Sequence, residues 1–267
     1  MSNRLDSKFE DLASKNEKAF VAYVAAGDPN YDKSLEIIKG LADAGADVIE
    51  LGLPFSDPVA DGIVNQLAAE RAIKAGMSTQ RTLELIREFR QTHETPIVIF
   101  TYLNPVFNYG YEQFSKDAKE AGADGLLLLD LPPDEASQNK ELQQSDQIKH
   151  IRLIAPTSPQ ERIQMLAESS EGFIYALSRT GVTGAQAAPS IAVSETVANI
   201  RQYTKTPICI GFGINTPDQA KMVAAHCDGV IVGSAIVNQI ADNADQGDVA
   251  EKVAAFTKPL ITATKDS

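Results

Sequence analysis

Short apolar runs alternate with helix-like segments along the whole chain, and this alternation restricts the fold more than any other sequence feature. Eight runs have the length and composition of buried strands, at residues 19–25, 47–52, 96–102, 124–129, 149–154, 172–177, 207–211 and 228–232. Helical patterns follow them at 31–44, 63–75, 79–92, 111–121, 133–144, 159–169, 190–203, 216–225, 234–242 and 248–262. Such alternation predicts a parallel sheet that is covered by helices.

A weak internal repeat supports the count of eight units. Ala44–Asp47 and Ala121–Asp124 share the letters Ala-Gly-Ala-Asp, and His226-Cys-Asp228 resembles them loosely. In each, a helix ends and an apolar strand begins, with Gly available for the left-handed helix stop. We therefore predict an α/β fold, a TIM (β/α)8 barrel formed by residues 1–267 as a single domain, with its active site at the carboxyl ends of the strands.

Two further features bear on the fold. Leu5, Phe9 and Leu12 recur at helical spacing, which predicts an extra N-terminal helix over 4–16. An open doubly wound sheet is the alternative architecture. Such a sheet normally carries a glycine-rich phosphate turn after its first strand, and Ala25-Ala-Gly-Asp-Pro29 is not one.

Charge and cysteine content restrict the class of protein. The formal net charge of -12 argues against nucleic acid or an anionic membrane as a partner. No apolar run is long enough to cross a bilayer, and the charged residues 1–20 lack the apolar core of a signal peptide. Cys209 and Cys227 are expected to be buried thiols rather than a disulfide, so we predict a cytoplasmic protein.

The stretch Asp47–Gly62 holds the first candidate site residues. Glu50 lies within an apolar strand, on the same face as Val48, although burying its charge is costly. Asp61 follows on the adjoining loop, so the two carboxylates could form an acid–base pair. Alternatively, Glu50 is a structural carboxylate bonded to backbone and Asp61 is a helix N-cap. Asp57 is expected to form a turn or to make contacts.

A second candidate group follows the sixth strand. Tyr175 shares a strand face with Phe173 and could present its hydroxyl to a substrate, although a core tyrosine with a satisfied hydroxyl is the alternative. The small-residue loop 178–188 has the composition of a closing lid, and a plain flexible loop is an equal competitor.

Two glycine-containing turns, Gly211–Asn215 and Gly233–Ala235, follow the last two strands. Barrels often bind phosphate there through backbone N–H groups and a helix N-terminus, and glycine leaves room for the anion. Ser234 could cap the helix that we expect to begin at Ala235 and could also bond a phosphate oxygen. These turns predict a phosphorylated substrate.

Other chemistries lack their parts in this sequence. His93, His150 and His226 fall at the ends of strands opposite to the predicted site, and no cluster has metal-ligand spacing. No lysine occupies a barrel-facing strand position, which disfavours a Schiff-base aldolase. We therefore expect a site without metal or cofactor, in which carboxylates do the chemistry.

Six motifs, in order along almost the whole chain, resemble signature segments of the tryptophan synthase α subunit family. They are Glu50-Leu-Gly-Leu-Pro-Phe-Ser-Asp-Pro-Val-Ala-Asp-Gly62, Leu129-Asp-Leu-Pro-Pro-Asp134, Ala155-Pro-Thr-Ser-Pro159, Ser178-Arg-Thr-Gly-Val-Thr-Gly184, Gly211-Phe-Gly213 and Gly233-Ser-Ala-Ile-Val237. The resemblance implies a TIM barrel that cleaves indole-3-glycerol phosphate to indole and glyceraldehyde 3-phosphate by a retro-aldol reaction in tryptophan biosynthesis.

The resemblance also implies roles for individual residues. Glu50 would be the general acid–base, Asp61 the partner of the indole nitrogen, and Tyr175 an assisting residue. The implied phosphate-binding residues are Gly184, Gly213, Gly233 and Ser234. The implied indole pocket comprises Tyr23, Phe100, Leu127 and Thr183.

This sequence departs from the family pattern after Ala60-Asp-Gly62. The family usually continues Pro-x-Ile-Gln, whereas this chain has Ile63-Val64-Asn65-Gln66. Loss of the proline removes a rigid helix start. Asn65 would place a polar group where the family has an apolar contact, so we expect a looser Asp61 loop or an altered indole pocket.

The family resemblance further implies a partner. Family members form an α2β2 complex with a β subunit, which holds the pyridoxal phosphate; no cofactor is expected in this chain. The loops 54–58 and 104–108 match the family's β-facing surface, with ordinary loop packing as the alternative. Two rival functions remain at this level: a stand-alone lyase that releases indole, and a scaffolding barrel that cleaves nothing. Other phosphosugar barrels would lack the Glu50–Asp61 loop.

Overall fold

The structure, a computed structural model, describes residues 3–132, 148–178, 189–211 and 213–267. Within these ranges, eight parallel strands form a closed barrel in which each strand pairs with the next and β8 pairs with β1. The strands are β1 Ala19–Ala25, β2 Val48–Gly52, β3 Ile97–Thr101, β4 Gly125–Leu128, β5 Lys149–Ile154, β6 Ile174–Leu177, β7 Ile208–Gly211 and β8 Gly229–Val232.

Eleven helices lie in the same described ranges and cover the outside of the barrel. They are α1 Arg4–Ser14, α2 Tyr31–Asp43, α3 Ile63–Lys74, α4 Thr79–Arg90, α5 Leu103–Tyr109, α6 Tyr111–Ala121, α7 Gln160–Ser169, α8 Pro189–Arg201, α9 Pro217–Ala224, α10 Ser234–Asp242 and α11 Val249–Lys265. None of them combines the length and the apolar character that a membrane crossing requires. The predicted TIM barrel with an extra N-terminal helix is confirmed.

Barrel closure rules out the alternative of an open doubly wound sheet. The two end strands meet where Ala19 pairs with Gly229. A Cβ on Gly229 would lie 2.8 Å from the Cβ of Ala19 and 2.8 Å from the Sγ of Cys209. The missing side chain of this glycine therefore allows β8 to pack closely against β1.

The strands divide their side chains between two apolar cores. On β2, Ile49 and Leu51 pack outward among the helices, whereas Val48 packs among the side chains that fill the barrel interior. Side chains alternate along a strand, so Glu50 points inward with Val48. The predicted period of two thus places a carboxyl group inside the barrel.

Helix α1 closes the end of the barrel at which the strands begin. Its buried residues Leu5, Phe9 and Leu12 belong to the interior core, and the Phe9 and Phe173 rings lie 5.7 Å apart. This plug leaves the opposite end, where the strands finish, as the open side of the barrel. We call that end the barrel mouth.

The aspartates of the Ala-Gly-Ala-Asp repeat fasten neighbouring strands together. Asp47 precedes β2 and accepts a hydrogen bond from the backbone N–H of Phe20 in β1, at 2.9 Å. Asp124 and Asp228 do the same for the first residues of β3 and β7, at 2.9 and 2.8 Å. The repeat therefore marks the strand starts because one carboxylate satisfies a backbone donor of the adjacent strand.

One segment predicted to be a loop is helical in the structure, and one predicted helix lies outside the described residues. Residues 104–108 were predicted to be a loop, but they lie within α5, whose first turn accommodates Pro105 because the N–H that proline lacks has no helical acceptor there. The helix predicted over 133–144 lies outside the described residues, as does most of the loop 178–188.

Candidate active site

Glu50 lies in the middle of β2 and faces the interior at the level of the barrel mouth. It pairs in register with Tyr23 of β1 and Val98 of β3 and is 0% exposed. Neither carboxylate oxygen receives a hydrogen bond from the described residues, so the alternative of a backbone-bonded structural carboxylate is wrong. Burial raises the pKa of Glu50 to about 8, because desolvation penalises the charged form. At neutral pH this group holds a proton that it can give away.

Aromatic side chains surround the space in front of Glu50. The Tyr23 and Phe100 rings meet edge to face at 5.1 Å, and the Phe100 and Tyr175 rings are 6.5 Å apart. Leu127 is fully buried and belongs to the same interior cluster. The structure therefore brings Tyr23, Phe100, Leu127 and Tyr175 together in one apolar wall of the kind that holds a flat aromatic ring.

Glycines make room for the two tyrosine hydroxyls at this level. A Cβ on Gly52 would lie 2.6 Å from the Tyr23 hydroxyl, and a Cβ on Gly211 would lie 2.6 Å from the Tyr175 hydroxyl. Any residue larger than glycine at position 52 or 211 would displace the tyrosine hydroxyl that lies against it. Both tyrosines remain neutral at physiological pH, because burial raises the pKa of each.

Asp61 lies on the loop between β2 and α3, and a second side chain fixes its position. The Tyr102 hydroxyl donates to Asp61 Oδ2 at 2.8 Å and accepts from the backbone N–H of Ala60 at 3.0 Å. Desolvation raises the pKa of Asp61, and hydrogen bonds from Tyr102 and Asn65 oppose that rise. The N-cap alternative is wrong, because Gly62 is the N-cap residue of α3 and has no side chain to offer.

Gln66 braces the same loop through the backbone. Its amide nitrogen donates to the carbonyl oxygen of Asp61 at 2.8 Å and to that of Pro58 at 3.4 Å. Asp57, in contrast, is exposed and accepts a hydrogen bond from the neighbouring Ser56 hydroxyl at 2.5 Å. The structure thus keeps Asp57 outside the group formed by Glu50 and Asp61.

Two backbone turns follow β7 and β8 at the barrel mouth, where the sequence predicts phosphate binding. Gly213 has φ +67°, and apart from its chain neighbours no atom of the described residues lies within 4 Å of the place where a Cβ would stand. Helix α10 begins at Ser234 with Gly233 as its N-cap, so the predicted start at Ala235 and the capping role of Ser234 are wrong. The first N–H groups of a helix have no intrahelical acceptor, and those of α10 are available to a phosphate.

The turn after β8 lies against the aromatic wall. A Cβ on Gly233 would lie 3.4 Å from the Cβ of Tyr23, which in turn pairs with Glu50. Thr183 and Gly184, the remaining members of the predicted pocket and phosphate site, lie outside the described residues.

Tyr102 is the functional candidate that sequence reasoning missed. It lies one residue beyond β3, at the barrel mouth, and its ring packs 5.4 Å from that of Phe55. A hydroxyl-bearing residue directly after a strand was the available signal, but its partner Asp61 is 41 residues away in the chain.

The three histidines lie at the end of the barrel opposite the mouth. His150 is the second residue of β5 and is buried, while His93 and His226 come shortly before β3 and β8. Among the described residues, no group of His, Cys, Asp and Glu side chains could hold a metal ion. Cys209 and Cys227 are buried free thiols.

Comparisons with known proteins agree with this geometry. A family model described as tryptophan synthase alpha chain matches residues 9–265. A tryptophan synthase alpha chain from Desulfatibacillum aliphaticivorans is 46% identical over 98% of both chains, and one from Opitutus terrae is 44% identical over 98% of this chain and 99% of the relative. The crystal structure of tryptophan synthase subunit alpha from Legionella pneumophila has a TM-score of 0.91 at 36% identity and covers 100% of both chains. This chain therefore belongs to the tryptophan synthase α chain family, the lyases that cleave indole-3-glycerol phosphate in tryptophan biosynthesis.

Proposed function

We propose that Glu50 and Asp61 together carry out the family's retro-aldol cleavage in this chain, and that residues 1–267 form one catalytic domain. The observation that carries the proposal is the inward-facing, fully buried Glu50, whose carboxyl group has no hydrogen-bond partner among the described residues. A buried carboxyl group with a pKa near neutrality is suited to moving protons in both directions.

The proposed reaction uses the indole ring as its own electron sink. Glu50 gives its proton to C3 of the ring, and the positive charge that develops at the ring nitrogen is stabilised by the carboxylate of Asp61. Glu50, now ionised, removes the proton of the hydroxyl group next to the ring. The C–C bond then breaks, its electrons restore the aromatic ring, and indole and glyceraldehyde 3-phosphate leave. Glu50 ends the cycle protonated, as it began.

The two carboxyl groups fit these roles because their surroundings differ. Desolvation acts unopposed at Glu50 and keeps it protonated, whereas at the half-buried Asp61 hydrogen bonds to the anion offset part of the desolvation. Tyr175 is proposed to assist from the aromatic wall. The backbone turns at Gly213 and Gly233, with Ser234 and Gly184, are proposed to hold the phosphate, so that remote binding energy aligns the bond that breaks.

The test is single-turnover cleavage with purified protein. Glu50→Gln should lower the rate at least about a hundredfold, the usual contribution of a general acid–base, while equilibrium binding of the substrate persists. Asp61→Asn should lower it more than about tenfold. Asp57→Asn is the matched control, because this exposed carboxylate of the same loop should be dispensable. Wild-type turnover in Glu50→Gln would remove Glu50 from the mechanism.

We further propose that a β subunit docks on the face formed by the loop 54–58 and helix α5. Family members work in a complex with that subunit, to which the pyridoxal phosphate belongs. Phe107 of α5 is 74% exposed, and two apolar side chains that follow the loop, Val59 and Ile63, are 85% and 65% exposed. Exposed apolar side chains that cluster on one surface are typical of a partner site. Indole release measured with and without the β subunit separates the complex from a stand-alone lyase.

A cytoplasmic location and a cofactor-free reaction in this chain complete the proposal. The two buried free thiols, Cys209 and Cys227, are typical of proteins that work in a reducing compartment. Turnover by the extensively dialysed chain, with no pyridoxal phosphate added, tests the second part.

A further inference from the structure

Asn65, where this chain departs from the family pattern, lies in the first turn of α3 and turns its side chain toward the catalytic loop. Its side-chain amide is near enough to the carboxylate of Asp61 to lower the pKa of that group, and the two residues line one cavity. The Tyr102 hydroxyl donates to Oδ2 of the same carboxylate at 2.8 Å. The polar residue is therefore part of the site, since its amide lies beside Asp61 together with the Tyr102 hydroxyl.

The carbonyl oxygen of the Asn65 side chain has no hydrogen-bond partner among the described residues. This oxygen, Oδ1, is buried. Asn65 lines a cavity together with Tyr23, Phe100 and Asp61, which are the residues that surround the proposed ring-binding space. Leaving a buried carbonyl oxygen unpaired costs free energy, so its position in this cavity calls for a donor from the ligand.

We propose that Asn65 recognises the indole N–H jointly with Asp61: its amide N–H holds the Asp61 carboxylate in place, and its carbonyl oxygen is a second acceptor for the ring nitrogen's proton. This inference rests on the proposed function, since it presumes that the ring lies in the cavity with its nitrogen toward Asp61. The ring N–H becomes a stronger donor as positive charge develops there, so both acceptors bind the transition state more tightly than the ground state.

The pKa of Asp61 offers a direct readout of its contact with Asn65. Among the described residues, Tyr102 donates to Asp61, and Tyr23 and Tyr175 lie within electrostatic reach of both Asp61 and Glu50. The three tyrosines stay neutral in the acidic range, because burial raises their pKa values, and Glu50 is protonated there. The hydrogen bond from Asn65 lowers the pKa of Asp61. Removing the Asn65 amide should therefore raise the pKa of Asp61 and move the acid limb of kcat/KM to higher pH.

The experiment compares Asn65→Leu, which keeps the branching and the number of side-chain heavy atoms, with the wild type and with Gln66→Leu. The Gln66 variant removes the hydrogen bonds to the loop backbone and leaves both donors to the Asp61 carboxylate. Two readouts are used: a 13C NMR titration of the Asp61 carboxyl group in the substrate-free protein, and kcat/KM for indole-3-glycerol phosphate relative to its N-methyl analogue. Asn65→Leu should raise the Asp61 pKa and reduce the preference for the N–H substrate about tenfold, and Gln66→Leu should do neither.

The outcomes separate this inference from the proposed function. If Asn65→Leu leaves both the titration and the substrate preference unchanged, Asn65 is a structural residue and the inference is overturned, even when Asp61→Asn is inactive. If Asp61→Asn turns over at the wild-type rate, the role of Asp61 fails and the inference fails with it. A lower melting temperature without a change in either readout also counts against the inference.

Discussion

A carboxyl group buried in the barrel makes the stability of this protein depend on pH in an unusual direction. The pKa of Glu50 is about 8 in the folded protein, compared with an ordinary value of 4.5. Between these values the folded state retains a proton that the unfolded state has lost. The stabilising contribution is present below pH 4.5 and disappears as the pH rises through 8, the opposite of a salt-bridged carboxylate.

We predict that Glu50→Gln removes this dependence. The wild type should lose up to about 1.4 kcal/mol of unfolding free energy for each pH unit between 5 and 8 on account of Glu50 alone. The glutamine variant is neutral at every pH, so it should gain stability relative to the wild type as the pH rises. Urea denaturation at pH 6 and pH 9 measures the difference. Parallel losses in the two proteins would show that Glu50 is already ionised at pH 6.

At the residue scale, the sequence predicted those positions whose chemistry conflicts with their surroundings. Glu50 is evident because a charged residue occupies an inward position of an apolar strand. Tyr102 gives no such signal, since an aromatic residue near a strand end is ordinary. Its role depends on a contact with Asp61 that only the folded chain creates. The sequence identified Asn65 as a polar departure from the family pattern, but it did not predict that the Asn65 amide lies beside Asp61.

Among the secondary-structure elements, strand pairing is reinforced at the closed end by buried aspartates. Asp124 accepts from the N–H of Ile97 at 2.9 Å and pairs with Arg90 at 2.7 Å and Arg4 at 3.1 Å. The side chain of Arg90 is only 9% exposed, so its buried positive charge is stabilised by the Asp124 carboxylate rather than by water. Such a pair contributes little net stability when intact, yet removing one partner is costly.

We predict that Asp124→Asn destabilises the fold without impairing catalysis. The amide keeps an acceptor for the Ile97 N–H but leaves Arg90 buried without its counter-ion, which should cost about 3 kcal/mol. Asp11→Asn is the control, because it breaks an exposed ion pair with Lys15 and should change stability little. Thermal unfolding measures stability. A loss of kcat at temperatures where the variant is fully folded would contradict the separation of the two barrel ends.

Element prediction succeeded where the hydrophobic pattern was long and failed where it was short. The eight strands follow from their apolar runs, and the starts of β2, β4 and β8 follow from the repeated aspartates. Helix α5 has only seven residues and contains Pro105, so its sequence resembles a turn. Its helical conformation follows from its place between β3 and α6, which the local sequence does not encode.

For the whole molecule, the barrel has one end closed by α1 and one open end, where the proposed ligand and partner sites lie. The loop after β2 and helix α5 meet at the mouth, where the Phe55 ring lies 5.4 Å from that of Tyr102. Val59, Ile63 and Phe107 expose apolar surface on the same side. Sequence alternation predicted the barrel and its functional end, whereas closure itself depends on pairing between β1 and β8, which are remote in sequence.

We predict that Phe107→Ser weakens association with the β subunit and its stimulation of indole release, while the activity of the isolated chain is retained. Removing a large exposed ring from the centre of an interface typically costs at least about 1 kcal/mol of binding free energy. Met165→Ser, on the outer helix α7, is the control for loss of an exposed apolar side chain. Size-exclusion chromatography and calorimetric titration measure binding. Unchanged affinity in Phe107→Ser would place the partner surface elsewhere.

The bridging hydroxyl of Tyr102 has a mechanical consequence. This residue immediately precedes α5 and is hydrogen-bonded to both Ala60 and Asp61. A displacement of that helix would therefore move the Asp61 carboxylate through one rigid ring. If the β subunit docks on α5 as proposed, a single tyrosine side chain would link its binding to a proposed catalytic group.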